Sequence, residues 1–203
     1  MSVDINAQLN KVASSGDFDE VKRLVDAGAE VNNGGVPCYM QAYFRGHIDI
    51  AKYLYDQGAD VNYDGFTETT PLMGATIRDD VDFMEYLMGR GAIVDLPLPA
   101  GGETALHKAA VQNRAEAALL LIKRGADVHK RTKDGGKTEM PKFKILREET
   151  PLHIAAVRSD VKLIQILLDA GATKGAKTTE GKTAYDYAVA HERPQDVIDL
   201  LKE

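Results

Sequence analysis

Apolar residues along this chain fall into short paired runs, and each pair is closed by a glycine. Ala118, Leu121 and Ile122 keep the 3.6-residue spacing of one helical face. The stretch around them predicts two short helices, Ala105 to Gln112 and Ala115 to Arg124. The phrase that closes this pair, Lys123-Arg-Gly-Ala-Asp-Val-His129, occurs in four further versions. They read Asp26-Ala-Gly-Ala-Glu-Val-Asn32, Asp56-Gln-Gly-Ala-Asp-Val-Asn62, Gly89-Arg-Gly-Ala-Ile-Val-Asp95 and Asp169-Ala-Gly-Ala-Thr-Lys174. Their glycines stand at 28, 58, 91, 125 and 171, so the spacings are 30, 33, 34 and 46. A second phrase keeps step with the first: Thr70-Pro-Leu-Met73, Thr104-Ala-Leu-His107, Thr150-Pro-Leu-His153 and Thr183-Ala-Tyr-Asp186. Two marks sharing a period of about 33 residues define an internal repeat.

Each mark has a physical task. Threonine ahead of proline starts a helix, because its hydroxyl can satisfy a free N–H and proline at the first turn has none to lose. Glycine after the apolar run ends the second helix, since it alone takes a left-handed backbone without strain. The Asp/Asn-rich stretch after each Gly-Ala suits a projecting turn. Ala109-Ala110 and Ala155-Ala156 let neighbouring first helices approach closely, and Leu121 and Leu167 are expected as interior side chains of second helices.

Composition narrows the class. The chain has 203 residues, 44% hydrophobic and only 6% aromatic with no Trp, which excludes a disordered chain and suits helices packed through small residues. No basic cluster followed by an apolar run opens the sequence, and no apolar stretch is long enough to span a bilayer. One cysteine, Cys38, allows neither an internal disulfide nor a cysteine metal site. An intracellular, cytoplasmic protein is expected, with the nucleus as the alternative compartment. Charge is uneven: residues 1–100 carry 7 Lys/Arg against 16 Asp/Glu, and residues 101–203 carry 18 against 15.

These phrases resemble the ankyrin repeat, whose pattern is Thr-Pro-Leu-His-x-Ala-Ala, an amphipathic helix, then Gly-Ala-Asp-Val-Asn. The resemblance implies an all-α solenoid of about six stacked helix-turn-helix units with projecting β-turns, read as one domain over residues 1–203. The amino-terminal cap repeat is expected over 1–32, internal repeats over 33–62, 63–95, 96–129 and 130–174, and the carboxy-terminal cap over 175–203. The second unit is short by about three residues, and its opening, Val36-Pro-Cys38-Tyr39-Met40, predicts a trimmed turn and an irregular first helix. The long spacing before Gly171 implies an insertion of roughly 13 residues around 133–148, in the turn between the fourth and fifth units.

The search for chemistry finds none that fits an enzyme. No His-Glu-x-x-His, paired-cysteine or phosphate-loop motif occurs, and Gly34-Gly35, Gly101-Gly102 and Gly135-Gly136 lack the flanking Lys-Ser/Thr of a phosphate cradle. Cys38 at a helix start could have a lowered thiol pKa, but no histidine stands at catalytic spacing, so it reads as a buried bystander. At His107 and His153 the resemblance implies hydrogen bonds that tie adjacent turns. No cofactor and no metal are implied.

Ankyrin proteins bind partners on a concave face made of the projecting turns and the exposed positions of the first helices. Carried over by position, the first-helix sites are Phe44 and Arg45, Ile77 and Arg78, Val111 and Gln112, and Val157 and Arg158. The turn sites include Asn33, Tyr63, Phe66, Thr67, Leu98 and Ala100. An apolar stripe flanked by arginine is the composition of an interface centre; partial burial against neighbouring helices is the competing reading of Val111 and Val157. The insertion is the second candidate. Lys123 to Arg147 holds nine Lys/Arg and three Asp/Glu, with Lys142, Phe143 and Lys144 alternating as in a strand of a hairpin. A solvated loop, a docking hairpin for an acidic partner and a nucleic-acid contact stand open for it. Nucleic acid is disfavoured because no aromatic stacking platform accompanies the charge. The expected function is a non-catalytic interaction module, an adaptor or inhibitor, with a protein or peptide partner and the chain itself a monomer. The alternative is a regulator or effector of an enzyme, docking through the 131–147 insertion.

Overall fold

In a computed structural model, residues 4–32, 37–63, 69–133 and 148–202 are described. Among them are twelve α-helices and no strand. The chain clusters into two compact units, residues 1–71 and 72–203.

The first unit holds α1 (Ile5–Ser15), α2 (Phe18–Asp26), α3 (Cys38–Phe44) and α4 (Ile48–Asp56). First helices α1 and α3 lie side by side, each paired with its own second helix, and Leu9, Ala13, Val21, Leu24, Ile50 and Leu54 fill the interior. Asp17 starts α2 by accepting the Glu20 N–H at 3.1 Å. Helix α3 has no side-chain cap, because Pro37 stands where threonine stands elsewhere, yet its seven residues are α-helical. Rings occupy much of this unit. Tyr39 and Tyr55 lie 4.8 Å apart between centroids, and Phe18 meets Tyr53 edge-on at 5.4 Å.

The second unit runs through α5 (Pro71–Arg78), α6 (Val81–Gly89), α7 (Ala105–Gln112), α8 (Ala115–Lys123), α9 (Pro151–Arg158), α10 (Val161–Asp169), α11 (Ala184–Ala190) and α12 (Gln195–Leu201). First helices α7, α9 and α11 stack in order, and second helices α6, α8, α10 and α12 stack beside them. Ala109, Ala110, Ala155 and Ala156 are wholly buried, as the close approach of neighbouring helices requires. Leu121 and Leu167 are also wholly buried, the interior role expected of them. Asp80 and Asp160 start α6 and α10 by accepting the N–H groups of Phe83 and Leu163.

The five recurring glycines share one backbone state, with φ of 92° at Gly28, Gly58 and Gly91 and 91° at Gly125 and Gly171. Beyond each, the alanine N–H returns to a carbonyl in the last turn of the helix, as Ala126 does to Leu121 at 2.9 Å. That closes the second helix and sends the chain into the projecting turn.

Candidate partner-binding faces

The projecting turns of the second unit are built on closed necks. Leu98 N–H donates to the Glu103 carbonyl at 2.9 Å, and Thr178 N–H to Lys182 at 2.9 Å. Thr132 N–H likewise donates to Glu149 at 3.0 Å, and the Glu149 N–H returns to the Thr132 hydroxyl at 2.9 Å. The Lys182 N–H makes the same return to Thr178 at 3.3 Å. The two necks are therefore of one kind, but residues 179–181 span the first and residues 133–148 the second. The base of the turn that carries the insertion therefore keeps the repeat geometry. Backbone and side-chain bonds then join turn to turn: Lys133 N–H reaches Gly101 at 2.9 Å, and the Arg131 guanidinium reaches both Glu148 and Lys177 carbonyls.

Histidine locks these turns to the helices. The Nδ1 of His107 accepts the Thr104 N–H at 3.1 Å, so the proton is on Nε2, which donates to the Glu149 carbonyl at 3.2 Å. His153 repeats the arrangement, with Thr150 on one side and the Ala176 and Lys182 carbonyls at 3.0 and 3.2 Å on the other. Burial holds the His153 pKa below the ordinary histidine value, keeping the neutral ring this pattern needs. These are the ties expected between adjacent turns.

The predicted first-helix positions divide by exposure. In the first unit Phe44 is 43% exposed, its ring 5.6 Å from Tyr43, and Arg45 follows in the open. Ile48 is 37% exposed close by in sequence, an apolar surface residue the repeat pattern does not mark. Tyr63 is half-buried. In the second unit Ile77, Val111 and Val157 are half-buried, each followed by an exposed Arg78, Gln112 or Arg158. The helix ends carrying them are pinned by later residues. The Arg114 Nε donates to the Ile77 carbonyl at 2.9 Å, the Ser159 hydroxyl to Ala110 at 2.8 Å, and Arg193 to Val157 at 2.6 Å. Leu98 is corrected: at 4% exposure it packs inward as part of its turn, while Ala100 is exposed. Asn33, Phe66, Thr67, Lys142, Phe143 and Lys144 lie outside the described residues.

Sequence reading overlooked Arg114, Ser159 and Arg193. All three stand in the link between a first and a second helix, and the only signal was a polar residue at a position otherwise given to a helix cap. Cys38 is buried, and burial pushes its thiol pKa up to about 11, so it is not an activated nucleophile. No described helix is long and apolar enough to cross a membrane.

A family model for ankyrin repeats in three copies matches residues 62–132, and one for a single ankyrin repeat matches 33–65 and 147–179. Together they cover more than half of the sequence. The chain belongs to the ankyrin-repeat family. Among similar proteins, the Arabidopsis thaliana E3 ubiquitin-protein ligase XBAT32 is 27% identical over 199 residues, 88% of this chain and 39% of its own length. Ankyrin repeat and SOCS box protein 16 of Homo sapiens is 31% identical over 106 residues, 52% of this chain and 20% of that protein. Ankyrin repeat and SOCS box protein 11 of Homo sapiens is 30% identical over 134 residues, 66% and 36% respectively. The chain thus spans well under half the length of each of these relatives. Ankyrin-repeat domains in general mediate protein–protein interaction and are non-catalytic.

Proposed function

We propose that the chain, read as one array, is an adaptor or inhibitor that holds a folded protein or peptide on its first-helix ends and projecting turns. The observation that carries this reading is a recurrence. Four first helices carry at their ends an apolar residue followed by an exposed Arg or Gln: Phe44-Arg45, Ile77-Arg78, Val111-Gln112 and Val157-Arg158. In the second unit those ends are pinned through their backbone carbonyls. A surface fixed before binding loses little freedom on binding, which leaves more of the contact energy as affinity. Affinity capture followed by surface plasmon resonance on the captured partner tests the reading. Phe44→Ala and Arg78→Ala are expected to raise the dissociation rate about tenfold or more, as for anchors in a desolvated centre. Unchanged dissociation in both variants sinks it.

The neck at Thr132 and Glu149 favours a second reading, in which the basic insertion docks an acidic surface of an enzyme that the chain regulates. Replacing residues 133–148 with the tip Thr179-Glu180-Gly181 of the neighbouring turn should leave helix content unchanged, since the neck bonds are common to both. Docking through the insertion predicts slower association in this variant, with part of the loss reproduced by added salt in the parent. Association at the parental rate leaves the insertion as a tolerated loop.

A further inference from the structure

The last helix pair of the second unit departs from the others on one face. Counting from the threonine of each first helix, the sixth residue is Thr76 in α5, Ala110 in α7, Ala156 in α9 and Val189 in α11. The first three are wholly buried; Val189 is 47% exposed. Second helices show the same break. Met84, Ala118 and Ile164 are wholly buried, whereas Ile198 at the equivalent place in α12 is half-buried. In the inner pairs this face is covered by the next pair, as α11 and α12 cover α9 and α10.

The polar part of the face changes too. Where His107 and His153 donate to a carbonyl of the following turn, α11 carries Asp186, which accepts from the Thr183 N–H at 2.8 Å and hydroxyl at 2.9 Å. A carboxylate cannot donate to a carbonyl, so the face has lost the contact that receives another repeat turn. In its place an open cavity of about 510 Å³ is lined by Lys174, Lys177 and Lys202, with Tyr185 and Asp186. The Lys174 ammonium donates to the Lys202 backbone carbonyl at 2.8 Å, which holds that ammonium at the edge of the cavity. Asp186 is held ionised by its Thr183 bonds, with Lys182 and Lys177 adding to that effect. The Lys202 ammonium is already paired with Asp199 at 2.6 Å, so Lys174 and Lys177 face the one committed carboxylate, Asp186, and leave room for a further negative charge.

We propose that this end face binds an amphipathic α-helix of a partner protein, its apolar stripe covering Val189 and Ile198 and a carboxylate side chain entering the lysine-lined cavity. A helix is the occupant because the same face of every inner pair is sized for helices. An acidic one is required because Lys174 and Lys177 outnumber the carboxylate that faces them, Asp186. The surface differs from the first-helix ends, so either reading can fail without the other.

The test is nuclear magnetic resonance on the isotope-labelled full chain, titrated with two synthetic amphipathic peptides of about 15–20 residues, long enough to be helical. The peptides share a leucine stripe and differ in carrying glutamate or lysine beside it. Saturable shifts at Val189, Ile198 and Lys177 are expected with the acidic peptide, and binding at least about tenfold weaker with the basic one. Val189→Asp, at an exposed position that leaves the fold intact by circular dichroism, should abolish the shifts. Lys174→Glu with Lys177→Glu should remove the preference for acid. No saturable shift, equal binding of both peptides, or shifts centred on another face overturns the proposal. So does a dimer in sedimentation with concentration-dependent shifts at Val189 in the absence of peptide, because the occupant is then a second copy of the chain.

Discussion

In residues 1–71 the place that α7 and α9 give to histidine holds a buried Met40, and the interior space of the same helix pair takes the buried tyrosines 39, 43 and 55. In residues 72–203 that space is narrowed by alanines at 109, 110, 155 and 156, and histidine crosses it to a backbone carbonyl. The first unit lacks that bridge: Asn6 of α1 accepts the Glu30 N–H at 2.9 Å, and Asn32 accepts from Asp60 and donates to Gly58, a turn-to-turn tie that Asp95 also makes in the second unit by accepting the Asp127 N–H at 3.0 Å. One repeat geometry is thus held by ring packing in one region and by small residues with imidazole bridges in the other. Contacts among large side chains have no single partner atom, whereas an imidazole bridge needs the turn carbonyl at one place; the trimmed turn expected around Val36 lies outside the described residues.

The largest expected effects come from the interior leucines. Leu121→Ala and Leu167→Ala remove wholly buried side chains and should each cost about 2–5 kcal/mol in denaturant unfolding. Repeats touch only their neighbours, so damage of this kind should open the chain locally. Cys38 supplies a probe, being 1% exposed in the first unit with its thiol pKa pushed up by burial. Leu54→Ala should hasten its labelling by a thiol reagent at low denaturant, while Leu167→Ala should leave the labelling rate near the parental one. Equal acceleration by both variants would show the two units opening together and remove the contrast between them.

The marks legible in sequence were those that act within one repeat. Gly28, Gly58, Gly91, Gly125 and Gly171 announce a left-handed backbone by themselves, and Thr104 with His107 or Thr150 with His153 sit three residues apart on one helical turn. What they touch next is set by residues far along the chain. The imidazole of His107 meets the carbonyl of Glu149 across the insertion, and any residue type could supply that carbonyl. Burial of Leu98 depends on how its turn folds back to Glu103, and alternation of apolar residues in Leu96-Pro-Leu98 does not tell inward from outward. The partner-facing positions were legible only as positions: Val111 and Val157 are half-buried, so they serve packing as well as any partner.

Histidine gives the intermediate effect. His153→Ala leaves the Thr150 N–H and two turn carbonyls without their partner and should cost about 1–3 kcal/mol. The pH dependence has a definite sign. The folded pKa lies below the unfolded value of about 6.5, so the unfolded chain binds the proton first as acid is added. The stabilisation from the neutral ring is complete above that value and is lost as pH falls from it through the folded pKa. Urea unfolding at pH 7.5 and pH 5 should therefore show a smaller drop for His153→Ala than for the parent. An identical drop would assign the acid sensitivity to other groups.

The smallest effect concerns the link between first and second helices, where the units again differ. The first unit places Gly16 and Gly46 there, with φ of 88° and 91°, whereas the second places Asp79, Asn113 and Glu192 there, with φ of 57°, 53° and 50°. A left-handed backbone costs a residue with a side chain about 1–2 kcal/mol, and glycine gives back part of that through the freedom it loses on folding. Glu192→Gly should thus stabilise by about 0.5 kcal/mol. Gly46→Ala, where a Cβ would meet nothing within 4 Å, should destabilise by about 1 kcal/mol through backbone strain alone. Gly16→Ala adds a collision, because its Cβ would fall 2.4 Å from the His47 ring, and should cost more than Gly46→Ala. Thermal melts of the three variants rank them. If Gly16→Ala and Gly46→Ala melt together, the His47 ring moves aside freely and the first unit's link is held by backbone conformation only.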